Sequence, residues 1–132
     1  MRVEKIKLRD KKIAFRVMTT ICHYTKHQGI VSFKHEFLIP ANCVSELRNF
    51  AKMKIDNKEL TKLIDEKKIT KGKIIKYIAT ILQKHGVAVN KYAIKAVFRK
   101  VFHTDISDDT IRLSLKNCRT YTHRKVTNYS LI

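Results

Sequence analysis

The chain has 132 residues, with 29 Lys and Arg against 11 Asp and Glu, a formal net charge of +18 and 44% hydrophobic residues. This length and composition predict one folded domain that buries about two-thirds of its unfolded surface, rather than a disordered polypeptide. No stretch approaches ~18 continuous apolar residues, and the first ten residues lack a signal-peptide apolar segment, so no membrane span or leader is expected.

The cysteines bear on the cellular compartment and on metal binding. Cys22, Cys43 and Cys118 are odd in number and far apart, which favours reduced thiols over a disulfide framework. We therefore expect a cytoplasmic protein. His23, His27 and His35 lie between the first two cysteines, but their spacing matches no paired-ligand zinc pattern, so no metal site is predicted.

Positive charge is concentrated in the second half of the chain. Residues 1–66 carry +6 and residues 67–132 carry +12, with no acid between Glu66 and Asp105. A folded module with this imbalance attracts polyanions at long range, and each phosphate contact releases counterions. Nucleic acid is therefore the expected partner. An anionic membrane surface, or a lysine-rich surface with no binding role, is the alternative.

The N-terminal residues give a mixed signal. Residues 1–12 alternate charged and aliphatic residues and predict a solvated arm or a first strand. Residues 13–24 fit both a strand period and a helical period. Every second residue from Val31 to Ile39 is apolar or His, and Gly29 marks a turn before this segment. The prediction is a hairpin of residues 13–22 with 30–39, with a long first helix as the alternative.

The rest of the chain is predicted to be helical. Asn42 is expected to cap a helix that ends near residue 54, and Asp56 or Asn57 to cap a second helix. Thr70 caps a third helix, and Gly86 stands where a left-handed residue ends it. The strongest stripe belongs to this third helix: Ile74, Ile78, Ile81, Leu82 and His85. The predicted fold is a single domain of residues 1–132, mainly α, with a small N-terminal β element in residues 1–40 and a helical part in 41–132.

Residues 90–119 predict a helix-turn-helix. Asn90 begins the first helix, whose apolar face spans Ile94 to Phe102 at helical spacing. Ser107 is a good N-cap for the second helix, and Asp108 and Asp109 lie in its first turn, where the helix dipole favours acids. Ile111, Leu115 and Cys118 predict its buried side. Arg112, Lys116 and Arg119 form an outward stripe on the same helix, placed to meet base edges or phosphates in a major groove.

The basic residues around this helix pair are the predicted nucleic-acid contacts. Those of residues 67–100 are expected to clamp the phosphate backbone, and those of the second helix to approach bases. Residues 119–125 alternate Thr with basic residues around a Tyr, which suits a wing or arm on the backbone and a winged form of the motif. The predicted contacts are Lys91, Lys95, Arg99, Arg112, Lys116, Asn117, Arg119, Arg124 and Lys125.

Two resemblances add to this prediction. Ser107-Asp-Asp-Thr110-Ile111-Arg112 is similar to the start of the recognition helix in winged helix-turn-helix regulators, where Ser-x-x-Thr-Val/Ile-Arg is frequent. Residues 58–124 resemble the C-terminal region of RteC-type regulators, through Asn90…Ile94…Phe98…Val101-Phe102…Asp105-Ile106…Asp109-Thr110-Ile111-Arg112 and the basic Arg-Thr segment after it. Such regulators are associated with mobile elements of Bacteroides-like bacteria. This resemblance implies a helical, winged-helix-like DNA-binding module that controls transfer or excision genes.

The sequence favours binding over catalysis. It contains no Gly-rich phosphate loop, Gly-x-Ser-x-Gly or His-Glu-x-x-His, so neither an enzyme nor a cofactor is predicted. The expected function is duplex DNA binding, in a transcriptional regulator or accessory factor of a mobile element or phage, with no membrane partner. An RNA- or ribosome-associated protein, or a protein-interaction module that inhibits a host enzyme, is the alternative. A homodimer that reads paired half-sites stays open, although no heptad pattern predicts an interface.

Overall fold

The computed structural model describes residues 1–54 and 71–131, which form six strands and four helices. In chain order these are β1 (Arg2–Lys7), β2 (Ile13–Thr25), β3 (Gly29–Pro40), α1 (Ala41–Lys54), α2 (Lys71–Lys84), β4 (Val89–Asn90), α3 (Lys91–Phe102), α4 (Asp108–Ser114), β5 (Arg119–His123) and β6 (Val126–Ser130). The predicted helix capped by Asp56 or Asn57, and the predicted cap Thr70, lie outside the described residues.

The N-terminal sheet is antiparallel, in the order β1-β2-β3. The hairpin predicted from the sequence is confirmed, and its strands pair from Ala14 opposite Pro40 to Thr25 opposite Gly29. Gly29 has a φ of 68°, which a residue without a Cβ adopts at no steric cost. Because β1 pairs only as far as Met18, the outer part of the hairpin (residues 19–35) is a two-stranded ribbon, here called the β2–β3 ribbon.

One continuous apolar core joins this sheet to the helices. The aliphatic residues of the stripe predicted for α2 are buried there, and so are Ile94, Val97 and Phe98 of α3. His85, predicted as part of the stripe, lies just after α2 and its Nε2 lies 2.6 Å from the Glu46 carboxylate. Val17 and Ile39 extend the core into the N-terminal sheet. Burying one such large apolar side chain contributes about 1.5–3 kcal/mol, so this core fixes α3 and α4 against the sheet.

Three predicted helix ends are confirmed in atomic detail. Gly86 has a φ of 73°, and the Val87 N–H donates to the Leu82 carbonyl at 2.9 Å, which closes α2 as a Schellman motif. The side chains of Asn90 and Ser107 each accept the backbone N–H three residues further on, at 3.0 and 3.1 Å. These caps place the beginnings of α3 and α4 as the sequence indicates.

A second antiparallel sheet follows the helices, in the order β4-β6-β5. The turn between β5 and β6 consists of Arg124 and Lys125, whose φ values of 50° and 63° are both positive, as a type I′ turn requires. In the core of this sheet the Asn90 amide donates to the Asn128 Oδ1 at 3.3 Å. That buried bond ties β5 and β6, here called the C-terminal hairpin (residues 119–130), to the start of α3.

The prediction of a mainly α fold is wrong. In the part of the chain that the structure describes, helix accounts for 40% and strand for 38%, in two antiparallel sheets of three strands, so the fold is mixed α/β. Residues 41–132, predicted to be helical apart from a wing or arm at 119–125, contain the second sheet. Strand β5 could not be predicted from apolar alternation, because all five of its positions are exposed and no apolar residue alternates with the polar ones. Its turn also lacks glycine.

Candidate nucleic-acid interface

The helix α4 is anchored on one side and exposed on the other. Ile111 and Leu115 are buried in the core, as the apolar spacing predicts. Arg112, Leu113 and Lys116 point away from the core, and the Arg112 side chain is 66% exposed. Arg112 is therefore open to solvent on α4, whereas Lys116 and Arg119, predicted on the same helix, are exposed but lie beyond its end at Ser114.

The basic flank of α3 binds the acids at the beginning of α4. The Lys91 Nζ lies 3.0 Å from Asp108, and the Lys95 Nζ contacts the other oxygen of the same carboxylate. The Arg99 Nε donates to Asp105 at 2.8 Å. The three α3 cations predicted to contact phosphate therefore hold the two helices together in this structure.

The charges of this cluster reinforce one another. Hydrogen bonds from Lys95 and Lys91 lower the pKa of Asp108, although its partial burial acts in the opposite direction. The hydrogen bond to Asp108 is in turn the main cause of the raised pKa of Lys91. Both groups are therefore ionised at neutral pH. Asp108 lies in the first turn of α4, where the helix dipole favours an acid. The α3 lysines neutralise its charge, so it does not repel a phosphate.

Asp109, the second acid of α4, is held differently. Its carboxylate lies 3.4 Å from the Arg112 guanidinium, and both side chains are mostly exposed, at 83% and 66%. An exposed pair of this kind contributes at most about 1 kcal/mol, since water and salt screen it. Arg112 can therefore exchange this carboxylate for a phosphate or a base edge at little cost.

The C-terminal hairpin continues the exposed surface beyond α4. Every residue from Arg119 to Lys125 is exposed, including Tyr121, which is 51% accessible. This strand and turn present Arg119, Arg124 and Lys125 to solvent, with no acid among residues 110–132. The hairpin is therefore a basic edge beside α4.

A cleft of about 700 Å³ brings four of the predicted contacts together. It lies between the β2–β3 ribbon and the surface formed by α4 and the C-terminal hairpin, and we call it the α4 cleft. Thr20 and Cys22 of β2 form its far wall. The predicted contacts that line it are Lys91, Arg112, Lys116 and Lys125.

The remaining predicted contacts lie elsewhere. Arg124 lines a second cleft on the N-terminal sheet, and Asn117 and Arg119 are exposed but line neither cleft. Lys95 and Arg99 are in the α3–α4 ion pairs. Sequence reasoning missed the wall of the α4 cleft formed by Thr20 and Cys22, because no local pattern brings a strand more than 80 residues away to the second helix of the pair.

In residues 1–54 and 71–131 no three His, Cys, Asp or Glu side chains are grouped as metal ligands would be. No helix in this part of the chain is long and apolar enough to cross a bilayer. The three cysteines are free thiols, and burial raises the pKa of Cys43 to about 11.

Comparison of the chain with models of protein families, with curated proteins and with solved structures gave no match. Its function is therefore inferred from the geometry and charge of this surface.

Proposed function

We propose that this protein binds duplex DNA through α4 and the C-terminal hairpin. One observation carries the proposal: the cations of this surface are exposed, while Asp105 and Asp108 beside it are each bound by a cation from α3. The result is a surface of net positive potential, even though acids begin the helix. We call it the α4–hairpin surface, and it consists of Arg112, Lys116, Asn117, Arg119, Arg124 and Lys125.

The order of elements supports the same function. A helix (α2), a short strand (β4), a helix pair (α3 and α4) and a hairpin (β5 and β6) follow one another, and β4 pairs with β6. Winged helix-turn-helix domains have this order. In helix-turn-helix proteins the second helix lies in the major groove while flanking elements contact the backbone. The proposal is thus for a module of this kind set in a larger α/β fold.

Different residues take different roles in this proposal. Arg112 lies on the outward side of α4 and approaches base edges, where a bidentate Arg–guanine contact discriminates by about 1–3 kcal/mol. Lys116, just beyond the end of α4, contacts phosphates together with Arg119, Arg124 and Lys125, and these contacts position the protein without reading sequence. Lys91, Lys95 and Arg99 act on α4 instead, by fixing its direction through Asp105 and Asp108.

The biological setting rests on the resemblance to RteC-type regulators. On that basis the protein is a transcriptional regulator or an accessory factor of a mobile element or phage. A selection of bound duplexes from a random pool tests this function. The proposal expects enrichment of one sequence, and recovery of unrelated sequences only would contradict a regulatory role.

A salt titration tests the binding itself. The four phosphate-contacting cations, Lys116, Arg119, Arg124 and Lys125, correspond to a slope of about −3.6 in log K against log salt, which is a ~150-fold loss of affinity between 50 and 200 mM salt. Fluorescence anisotropy with a labelled 20-bp duplex measures this slope. Affinity that does not change with salt would contradict the proposed contacts.

RNA is a second candidate because of one side chain. Tyr121 is half exposed on β5, between basic residues, and an aromatic ring in such a position stacks on unpaired bases. Competition between the duplex and a stem-loop RNA separates the two functions. If RNA is the ligand, the stem-loop displaces the duplex, and Tyr121→Ala weakens RNA binding more than duplex binding.

A further inference from the structure

A second cleft, of about 1,010 Å³, lies on the other side of the C-terminal hairpin. Its walls come from the turn between β1 and β2, the end of β3, the loop after α2 and the turn between β5 and β6. We call it the His35 cleft. Its volume is at the upper end of the range that pockets for small molecules occupy.

The lining of this cleft combines apolar walls with positive charge. Leu8 and Phe37 are among its apolar residues, while Lys11, Lys12 and Arg124 supply three permanent cations. The one carboxylate in the lining belongs to Glu36, which pairs with the Arg16 guanidinium at 3.1 Å. A ligand with an apolar body and a negative group fits both features.

His35 gives an independent sign of a polar ligand. The residue is only 9% exposed, and in the described part of the chain its Nδ1 is a buried atom with no hydrogen-bond partner. Burial lowers the pKa of His35, and the nearby charges of Arg124 and His123 lower it further. The ring is therefore neutral at pH 7, with one nitrogen able to donate and one able to accept. Buried polar atoms are rarely left unpaired, so a water molecule or a ligand atom is expected to pair with this nitrogen.

Two residues that line this cleft have energetically unfavourable backbone conformations. Lys11 and Arg124 have φ values of 67° and 50°, a region that favours glycine or asparagine. Each such residue costs on the order of 1 kcal/mol, and such strain is concentrated at ligand sites. Both residues carry a long cationic side chain, and both line the cleft.

We propose that the His35 cleft binds a small organic anion, in which a phosphate or carboxylate group is attached to an apolar body. Lys11, Lys12 and Arg124 surround the anionic group, and the apolar body packs against Leu8 and Phe37. This site is additional to the α4–hairpin surface, and no nucleic acid takes part in its test.

Calorimetric titration tests the site with four compounds: phenyl phosphate, benzoate, inorganic phosphate and phenol. We expect phenyl phosphate or benzoate to bind at least tenfold more tightly than inorganic phosphate or phenol, since only the first two carry both charge and an apolar ring. The tighter of the two identifies the anionic group. Equal affinity for phenyl phosphate, benzoate and inorganic phosphate, or no binding of either aromatic anion, would overturn the proposal.

Variants locate the binding within the protein. Arg124→Gln and Lys11→Gln should each weaken the aromatic anion at least fivefold. Lys34→Gln is the matched control, because Lys34 is an exposed cation next to His35 in the chain but outside the cleft lining. Unchanged affinity in both cleft variants, or an equal loss in the control, refutes the assignment. In the NMR spectrum of the wild-type protein, the ring signals of His35 should shift on saturation.

Discussion

The sharpest test of the interface compares two lysines that the sequence treats alike. Lys95 and Lys116 both lie on a predicted DNA-binding helix pair, and the sequence alone assigns both to nucleic acid. In the structure Lys116 is exposed at the α4 cleft, whereas the Lys95 side chain is 23% exposed and bound to Asp108. We therefore expect Lys116→Gln to weaken DNA binding, and Lys95→Gln to affect mainly the stability of the fold.

The expected magnitudes follow from the number of contacts. With four phosphate-facing cations the slope of log K against log salt is about −3.6, and loss of one changes it to about −2.7. The loss of affinity between 50 and 200 mM salt then falls from ~150-fold to ~40-fold for Lys116→Gln. Lys95→Gln removes a partly exposed ion pair, which lowers the free energy of unfolding by about 0.5–1 kcal/mol.

Two measurements on each variant distinguish a phosphate contact from a structural ion pair. Anisotropy titrations at four salt concentrations give the slope, and urea unfolding gives the stability. If Lys95 only forms the ion pair with Asp108, the Lys95→Gln variant should have the wild-type slope of log K against log salt. This slope is measured with enough duplex present to compensate for any unfolded protein. A slope reduced equally in both variants would show that Lys95 contacts phosphate and that its bond to Asp108 is not maintained on binding.

Three further outcomes follow from the structure. Phe98→Ala should lower the free energy of unfolding by about 3–5 kcal/mol in urea, because Phe98 is a fully buried core residue, and a loss below 1 kcal/mol would contradict its packing. The pKa of Cys43 is raised from 9.0 to about 11, so the unfolded chain releases this proton first, and stability should fall as the pH rises from 9 to 11. Cys43→Ala should reduce that fall relative to the wild-type protein in urea unfolding at each pH, and parallel pH curves for the two would refute the assignment. Replacing Arg124-Lys125 by Asn-Gly, the residues a type I′ turn prefers, should stabilise the fold by about 1 kcal/mol while weakening duplex binding at least tenfold, and a turn variant that binds as tightly as wild type would remove the hairpin tip from the interface.

The local signals in the sequence were sufficient for single elements. The α2 stripe, the Gly86 terminus and the Asn90 and Ser107 caps could all be predicted, because each depends on residues within one or two turns of one another. The N-terminal hairpin was also predicted, although its strands extend beyond the predicted residues 13–22 and 30–39. Propensity and periodicity are adequate where the determining contacts are local.

The fold class and the site depended on contacts that no local pattern contains. Strand β5 has no buried position, and its turn uses two cations in the left-handed region, so neither alternation nor a glycine reveals the second sheet. Lys91 and Asp108 are 17 residues apart, so a charged flank that looks solvated in the sequence is an interhelical contact in the structure. The predicted residues Arg112, Lys116 and Lys125 do lie together at one cleft. They flank a helix and a hairpin, and the buried sides of these elements could be predicted in part from the sequence.

The turn of the C-terminal hairpin belongs to both clefts at once. Arg124 lines the His35 cleft and Lys125, the next residue, lines the α4 cleft. A single peptide bond therefore links the two sites, and a molecule that immobilises Arg124 also restricts the orientations open to Lys125. Ordering one long side chain in advance changes a binding free energy by about 0.5–1.5 kcal/mol, a two- to tenfold change in affinity. A duplex titration with and without saturating phenyl phosphate measures this coupling, and identical affinities would mean that the two sides of the hairpin act independently.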